Sequence, residues 1–347
     1  VEDRSQEVLG KYELRIYNTY RTRGAYVLET DQGLKLLCGY EGSENRLDFE
    51  DSLKQQIIEK GYGNVDTFVR NTLGEIVTTN SIGDKYLLKD WFDGEECSLK
   101  KDEKILLAVS NLAYLHNCMS DVDATAPLKK LYLQNDLVTT LEKRTRELKR
   151  VKSYIRERKQ KNEFEVCYLS ICEEFYQNAL AAMDLLTELP YYEMLDMAVL
   201  QGKVCHGSYT YHNIFMLNEQ VSGSMCKAAE LTWNDFIATT NFEKAEFGLQ
   251  IHDLYYFIRK TMEKNDWNLD LGEKMILEYQ SCHGISKDEL KLLYILLLYP
   301  EKFWKVTNYY YNSKKSWIPQ KNVQKLQALS QQTDNKKKFL ARLLNIE

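Results

Sequence analysis

The residues best equipped for chemistry gather in one stretch, Val204-Cys205-His206-Gly207-Ser208-Tyr209-Thr210-Tyr211-His212-Asn213, where an apolar run enters a polar loop. It sets an imidazole, a hydroxyl and a carboxamide at His206, Ser208 and Asn213. A serine hydroxyl cannot accept a proton near neutral pH as a carboxylate can, because its conjugate acid is far too strong. An ordinary turn between two elements is the plain alternative for so short a motif. A second polar group, Thr240-Asn241-Phe242-Glu243, closes a strand predicted over Leu231 to Thr240. Cysteine and histidine sit close together at Cys205-His206, at Cys282-His283 and at His116 and Cys118, which in principle could ligate metal. Adjacent residues rarely chelate one ion well, and the eight cysteines contain no C-x-x-C pair. Free, buried or half-buried thiols in a reducing compartment are therefore expected.

These groups need elements to hold them. From Lys11 to Trp91 the pattern is that of strands: Tyr12, Leu14 and Ile16 alternate with polar residues, and Ala25 to Glu29 and Leu34 to Cys38 flank the turn Thr30-Asp31-Gln32-Gly33. Lys35 falls on the second strand of that hairpin. Arg46 to Gly61 has helical spacing, with Leu47, Leu53, Ile57 and Ile58 on one face and Gly61 as a stop, and carries Glu50 and Asp51. Further strands are predicted over Thr67 to Asn71, Glu75 to Thr78 and Lys85 to Trp91. Beyond Trp91-Phe92-Asp93-Gly94-Glu95-Glu96 the period becomes helical: Lys101 to Met119, two long helices from Leu131 to Leu189 broken near Lys161-Asn162, Tyr191 to Leu200, Ile251 to Lys264, Leu271 to Tyr279, Ser286 to Leu298, Asn322 to Leu329 and Thr333 to Leu344.

The bulk properties narrow the function classes. A chain of 347 residues, 44% hydrophobic and 28% charged, is long and apolar enough for two cores. A net charge of -5 gives no general attraction to nucleic acid or anionic membrane. The longest apolar run, Leu292 to Tyr299, is too short to span a bilayer, and no signal peptide is expected. Two local patches point elsewhere. The basic segment Lys143 to Lys161 could bind a polyanion, although a solvated face around Leu141, Leu148, Val151 and Ile155 explains it more simply. The aromatic and lysine-rich segment from Tyr299 to Pro319 could stack bases or sugars, or form a helical core with a rim of tyrosine hydroxyls.

The ordered motifs resemble phosphotransferases of the aminoglycoside and choline kinase type, in which a strand leads into His-x-Asp-x-x-x-x-Asn. Together with His252-Asp253-Leu254, Tyr299-Pro300-Glu301-Lys302-Phe303-Trp304 and Lys315-Ser316-Trp317-Ile318-Pro319, they resemble the CotS family of bacterial spore coat proteins across nearly the whole chain. The resemblance implies an α+β, bilobal, protein kinase-like fold, with a small β-rich lobe over residues 1–92 and a large helical lobe over 93–347. It implies Lys35 as the phosphate-gripping lysine, oriented by Glu50 or Asp51. It implies Ser208 at the base position, after His206, and a metal site of Asn213, Asn241 and Glu243. An alternative register puts Asp235-Phe236 at the metal position. The carboxylates of the kinase pattern are replaced by Ser208 and Asn241, and a hard ion such as Mg²⁺ prefers anionic oxygens. The expected function is thus a pseudokinase with a structural or assembly role in the coat, made in the mother-cell cytoplasm, with other coat proteins as partners. An active phosphotransferase using ATP and Mg²⁺ is the alternative, and nucleic-acid binding ranks last.

Overall fold

The computed structural model describes residues 3–218, 236–312 and 320–344. The first half of the strand expected from Leu231, Asp235, Cys226 and the segment Lys314 to Pro319 lie outside the described residues. The chain divides into two compact units, Val1–Ala124 with Gln201–Glu246, and Thr125–Leu200 with Phe247–Glu347.

The first unit runs α1 (Asp3–Leu9), β1 (Ile16–Thr22), β2 (Ala25–Thr30), β3 (Gly33–Gly39), α2 (Glu44–Glu59), β4 (Phe68–Val69), β5 (Val77–Thr79), β6 (Lys85–Asp90), β7 (Gly94–Glu96) and α3 (Asp102–Cys118). It resumes with β8 (Val204–Cys205), β9 (Ile214–Leu217) and β10 (Ile237–Thr239). One antiparallel sheet has the order β1-β2-β3-β6-β4, with β5 also on β6, and a second has the order β10-β9-β7. The β2–β3 hairpin forms at the predicted turn, where Gly33 takes φ +84° and the Thr30 hydroxyl donates to the Gly33 carbonyl. The strand expected from Lys11 begins instead at Ile16. Tyr12 turns into the core beside Val8 of α1, with its hydroxyl 2.8 Å from Thr78 Oγ1.

Strand alternation gives the main sheet two different faces. Leu28, Leu37 and Leu88 meet Val8 and Tyr12 on one. Leu87, with Cys38, meets Leu47 of α2 and Ile76 on the other. Because successive side chains point to opposite faces, Lys35 shares the side of Leu37, and Lys89 shares the side of Leu87.

The second unit is helical: α4 (Ala126–Leu131), α5 (Leu137–Glu157), α6 (Glu163–Thr187), α7 (Tyr191–Leu200), α8 (Ile251–Lys264), α9 (Leu269–Cys282), α10 (Lys287–Leu298), α11 (Glu301–Asn312) and α12 (Gln320–Leu343). Asp136 caps α5, and Asn162 forms a capping box with Glu165 at the predicted break before α6. The two helices expected over 322–344 are one, since no Gly or Pro interrupts Gln320–Leu343. On α5, Arg144 pairs with Glu301 and Lys152 with Glu173, while Arg158 pairs with Glu165. The aromatic segment packs inward, with Phe303 stacked on Tyr168 and Phe175, and Phe164 on Tyr310. These contacts favour the solvated-face reading of the basic segment, whose cations pair with neighbouring helices, and the core reading of the aromatic one. Of the seven described cysteines, Cys282 is exposed, Cys38 and Cys167 are half-buried and the others are buried.

His252, near the first turn of α8, is buried, with Nε2 lacking a partner. Burial pushes its pKa down to about 4, partly opposed by Asp253. The folded state thus prefers the neutral ring, and its stability falls as pH drops from about 6.5 toward 4, by about 3 kcal/mol. Urea unfolding at pH 7 and pH 4.5 tests this: His252→Asn is expected to flatten that acid limb, and an unchanged limb would contradict it.

Candidate functional site

The loop after β8 holds itself together. Ser208 N–H donates to His206 Nδ1 at 3.2 Å, so the ring proton is on Nε2, which donates to the Thr240 carbonyl at 3.1 Å. Ser208 Oγ donates to the Asn241 carbonyl at 3.0 Å. Asn213 Nδ2 donates to the Ser208 carbonyl at 2.8 Å and stands 3.4 Å from Ser208 Oγ. Gly207, at φ +73°, lies so close to the Lys244 carbonyl that a Cβ there would collide with it. His206, Ser208, Asn213 and Asn241 are therefore brought together, the neighbourhood that the family resemblance implies. Asn241 itself takes the left-handed conformation, φ 67° and ψ 65°, a region that asparagine tolerates better than most residues.

A buried ion quartet stands beside this loop. Glu50 and Lys54 on α2, Asp66 before β4, and Lys89 on β6 are each 7% exposed or less. Lys54 Nζ donates to Glu50 Oε1 at 2.6 Å and to the Asp66 carbonyl at 2.7 Å, and lies 3.0 Å from Asp66 Oδ1 in an ion-pair contact without hydrogen-bond geometry. Lys89 Nζ reaches Glu50 Oε1 at 3.2 Å and Asp66 Oδ2 at 3.3 Å. Asn241 N–H donates to Asp66 Oδ2 at 3.1 Å, which ties the quartet to the loop. The Phe68 ring lies 4.3 Å from Lys54 Nζ and 4.9 Å from Lys89 Nζ, offering its π-face to both cations. Burial alone would raise the Asp66 pKa, but Lys54, Lys89 and the Asn241 N–H hold it below the carboxylate range. Burial would lower that of Lys89, but Asp66 and Glu50 together hold it above its ordinary value.

The expected pairing of Lys35 with Glu50 or Asp51 is not what the structure has. Lys35 lies on the sheet face turned away from α2, opposite Asp90 in register, and its Nζ contacts Asp90 Oδ1 at 2.5 Å and the Gln32 carbonyl at 2.8 Å. Asp51 pairs with Arg70. A shift of one position along a strand reverses the face, so the strand lysine that meets Glu50, beside Lys54 of α2 itself, comes from β6 rather than β3. Lys54, Asp66 and Lys89 were not foreseen. The sequence signal for Lys54 was a lysine four residues after Glu50, on the apolar side of the helix, a spacing common on solvated surfaces.

The proposed metal ligands make a poor set for a hard divalent cation. Asn213 and Asn241 are neutral amides and Glu243 is an exposed side chain, whose backbone carbonyl accepts from Arg46 Nε at 2.7 Å. Among the described residues no group of three or more His, Cys, Asp or Glu is placed to hold a metal. One more cluster borders the loop. His212 Nδ1 is 2.7 Å from Glu96 Oε2, and Arg23, at the β1–β2 turn, makes a two-pronged pair with the same carboxylate at 2.7 and 2.9 Å.

The fold is that of aminoglycoside phosphotransferases. An aminoglycoside phosphotransferase from Alicyclobacillus acidocaldarius superposes with a TM-score of 0.84 at 17% identity, over 98% of this chain and 95% of that one. Spectinomycin phosphotransferase APH(9)-Ia, solved with ADP and spectinomycin, gives 0.64 at 9% identity over 97% and 99%. Amicoumacin kinase hAmiN, solved with AMP-PNP, Ca2+ and Ami, gives 0.58 at 10% identity over 96% and 92%. No curated protein matches the sequence. The family model described as "Spore coat putative kinase YutH" matches residues 5–343, and the chain belongs to that family.

Removing one member of a buried ion cluster leaves an uncompensated charge, at a cost of about 3–5 kcal/mol, whereas a partly exposed pair contributes about 1 kcal/mol or less. Lys54→Met is accordingly expected to lower unfolding stability several-fold more than Lys35→Met, whose partner Asp90 is 40% exposed. Equal urea midpoints for the two variants would contradict this ordering.

Proposed function

We propose that this protein serves the spore coat as a kinase-shaped component without phosphoryl-transfer chemistry, acting through surfaces that bind other coat proteins. The observation that carries this reading is the hydrogen bond from Ser208 Oγ to the Asn241 carbonyl. The group at the base position already gives away its proton inside the protein, and a hydroxyl has no basicity to offer in exchange. Membership of the spore-coat family supplies the location. Among the described residues no helix is long and apolar enough to cross a membrane.

A second reading, an ATP-dependent phosphotransferase acting on a hydroxyl acceptor, is favoured by the retention of Asn213 beside Ser208 and by the nucleotides bound in the solved phosphotransferases. In that reading Asn213, Asn241 and Glu243 would have to hold Mg²⁺ with a single carboxylate among them, and Lys35 would have to leave Asp90 to reach a phosphate. Loose phosphoryl transfer relies chiefly on alignment and charge stabilisation, so weak turnover without a carboxylate base is chemically conceivable.

Complementation separates the two. Spores lacking the gene and supplied with Asn213→Ala are expected to recover the same coat protein composition as those supplied with the wild type. The variant loses the side-chain hydrogen bond to the Ser208 carbonyl, about 1 kcal/mol, and should remain folded. A folded Asn213→Ala protein that fails to restore the coat would overturn the non-catalytic reading.

A further inference from the structure

The helical unit contains a cavity of about 50 Å³, lined mainly by apolar surface with a few charged groups, that has no role in the loop described above. It is bounded by α8, α11 and α12. Its most unusual wall is Arg259, a guanidinium only 3% exposed. Nη1 is held by Glu263 Oε1 at 2.5 Å, but Nε and Nη2 are buried with no hydrogen-bond partner. Buried donors are nearly always paired, and a charged one left unpaired is expensive. These two nitrogens form the side edge of the guanidinium, whose parallel N–H groups match two oxygens of one oxyanion.

A second cation faces the same space. Lys336 on α12 lines the cavity, makes no ion pair among the described residues, and lies with Nζ 5.2 Å from the centre of the Trp267 ring. The nearby carboxylates are committed elsewhere. Glu263 holds Arg259 and also Lys302 at 3.0 Å, and Glu301 holds Arg144 and Lys305. Lys302 and Lys337 also line the cavity, but Lys302 is paired with Glu263 and Lys337 with Glu174 at 2.6 Å, which leaves Lys336 as the lining cation without an ion pair among the described residues. Phe175, Phe303 and Leu340 close the space with apolar surface, which strengthens electrostatic attraction inside it.

We propose that this cavity binds a small oxyanion of the phosphate or sulfate class, gripped through two oxygens by Arg259 Nε and Nη2 and neutralised by Lys336. The anion would satisfy both unpaired donors and relieve two cations of each other. In keeping with this, burial, reinforced by the Arg259 charge and opposed by Glu263, pushes the Lys336 pKa down to about 8, and a bound anion would reverse that trend.

The test uses the full-length protein at pH 7, titrated with sodium phosphate, sodium sulfate or sodium chloride at matched ionic strength and followed by thermal unfolding. Phosphate and sulfate are expected to raise Tm saturably, while chloride does not. Lys336→Met is expected to weaken the phosphate response at least about tenfold. Lys336 is only partly buried, so the variant's own melting temperature checks that it folds. A response common to all three salts means screening alone and overturns the proposal. A saturable phosphate response unchanged in Lys336→Met puts the anion elsewhere and overturns it equally.

Discussion

Two carboxylates and two ammonium groups share a space almost closed to water, where Glu50 and Asp66 each contact both Lys54 and Lys89. Carrying four charges out of water costs several kcal/mol per ion, and only mutual pairing with added hydrogen bonds offsets it. The arrangement tolerates little displacement for that reason. It joins α2 to β6 and to the segment before β4, and each must be in place before the charges balance. An apolar core of the same volume would hold these elements at least as firmly. What the charges add is direction, because an ion pair fixes which atoms meet.

That direction passes on to the loop through a single peptide unit and residue. Asn241 N–H points at Asp66, and the Asn241 carbonyl receives the Ser208 hydroxyl. Ser208 in turn is held by Asn213, and His206 by Thr240. The shape of this loop thus has a structural cause apart from any chemistry: it is anchored to the cluster that positions α2. A carboxylate at position 208 would set an acceptor against the Asn241 carbonyl, so the loop as built suits a hydroxyl donor.

Much of this was legible in the sequence. The hairpin turn at Thr30-Asp31-Gln32-Gly33, the α5–α6 break at Asn162 and the clustering of His206, Ser208 and Asn213 all follow from local rules of turn, cap and spacing. The partner of Glu50 did not. Lys35 and Lys89 both read as strand lysines, and only the pairing register, Lys35 opposite Asp90 and Leu36 opposite Lys89, decides which one faces α2. Lys54 was hidden for another reason. A lysine on a helix is most often solvated, and its burial depends on Asp66, twelve residues away, a contact that no local pattern announces. The alternation of Tyr12, Leu14 and Ile16 forms no strand before Ile16, and α11 was obscured by the density of its aromatic residues.

The central claim is that the loop is satisfied internally and transfers no phosphate. Its most direct test is turnover of γ-labelled ATP with Mg²⁺ or Mn²⁺, in the presence of coat extract from spores lacking this protein as the acceptor pool. The account predicts no labelled product and no phosphate release above that of Asn213→Ala. Turnover by the wild type that disappears in a folded Asn213→Ala variant would contradict it, and would make this protein a working phosphotransferase.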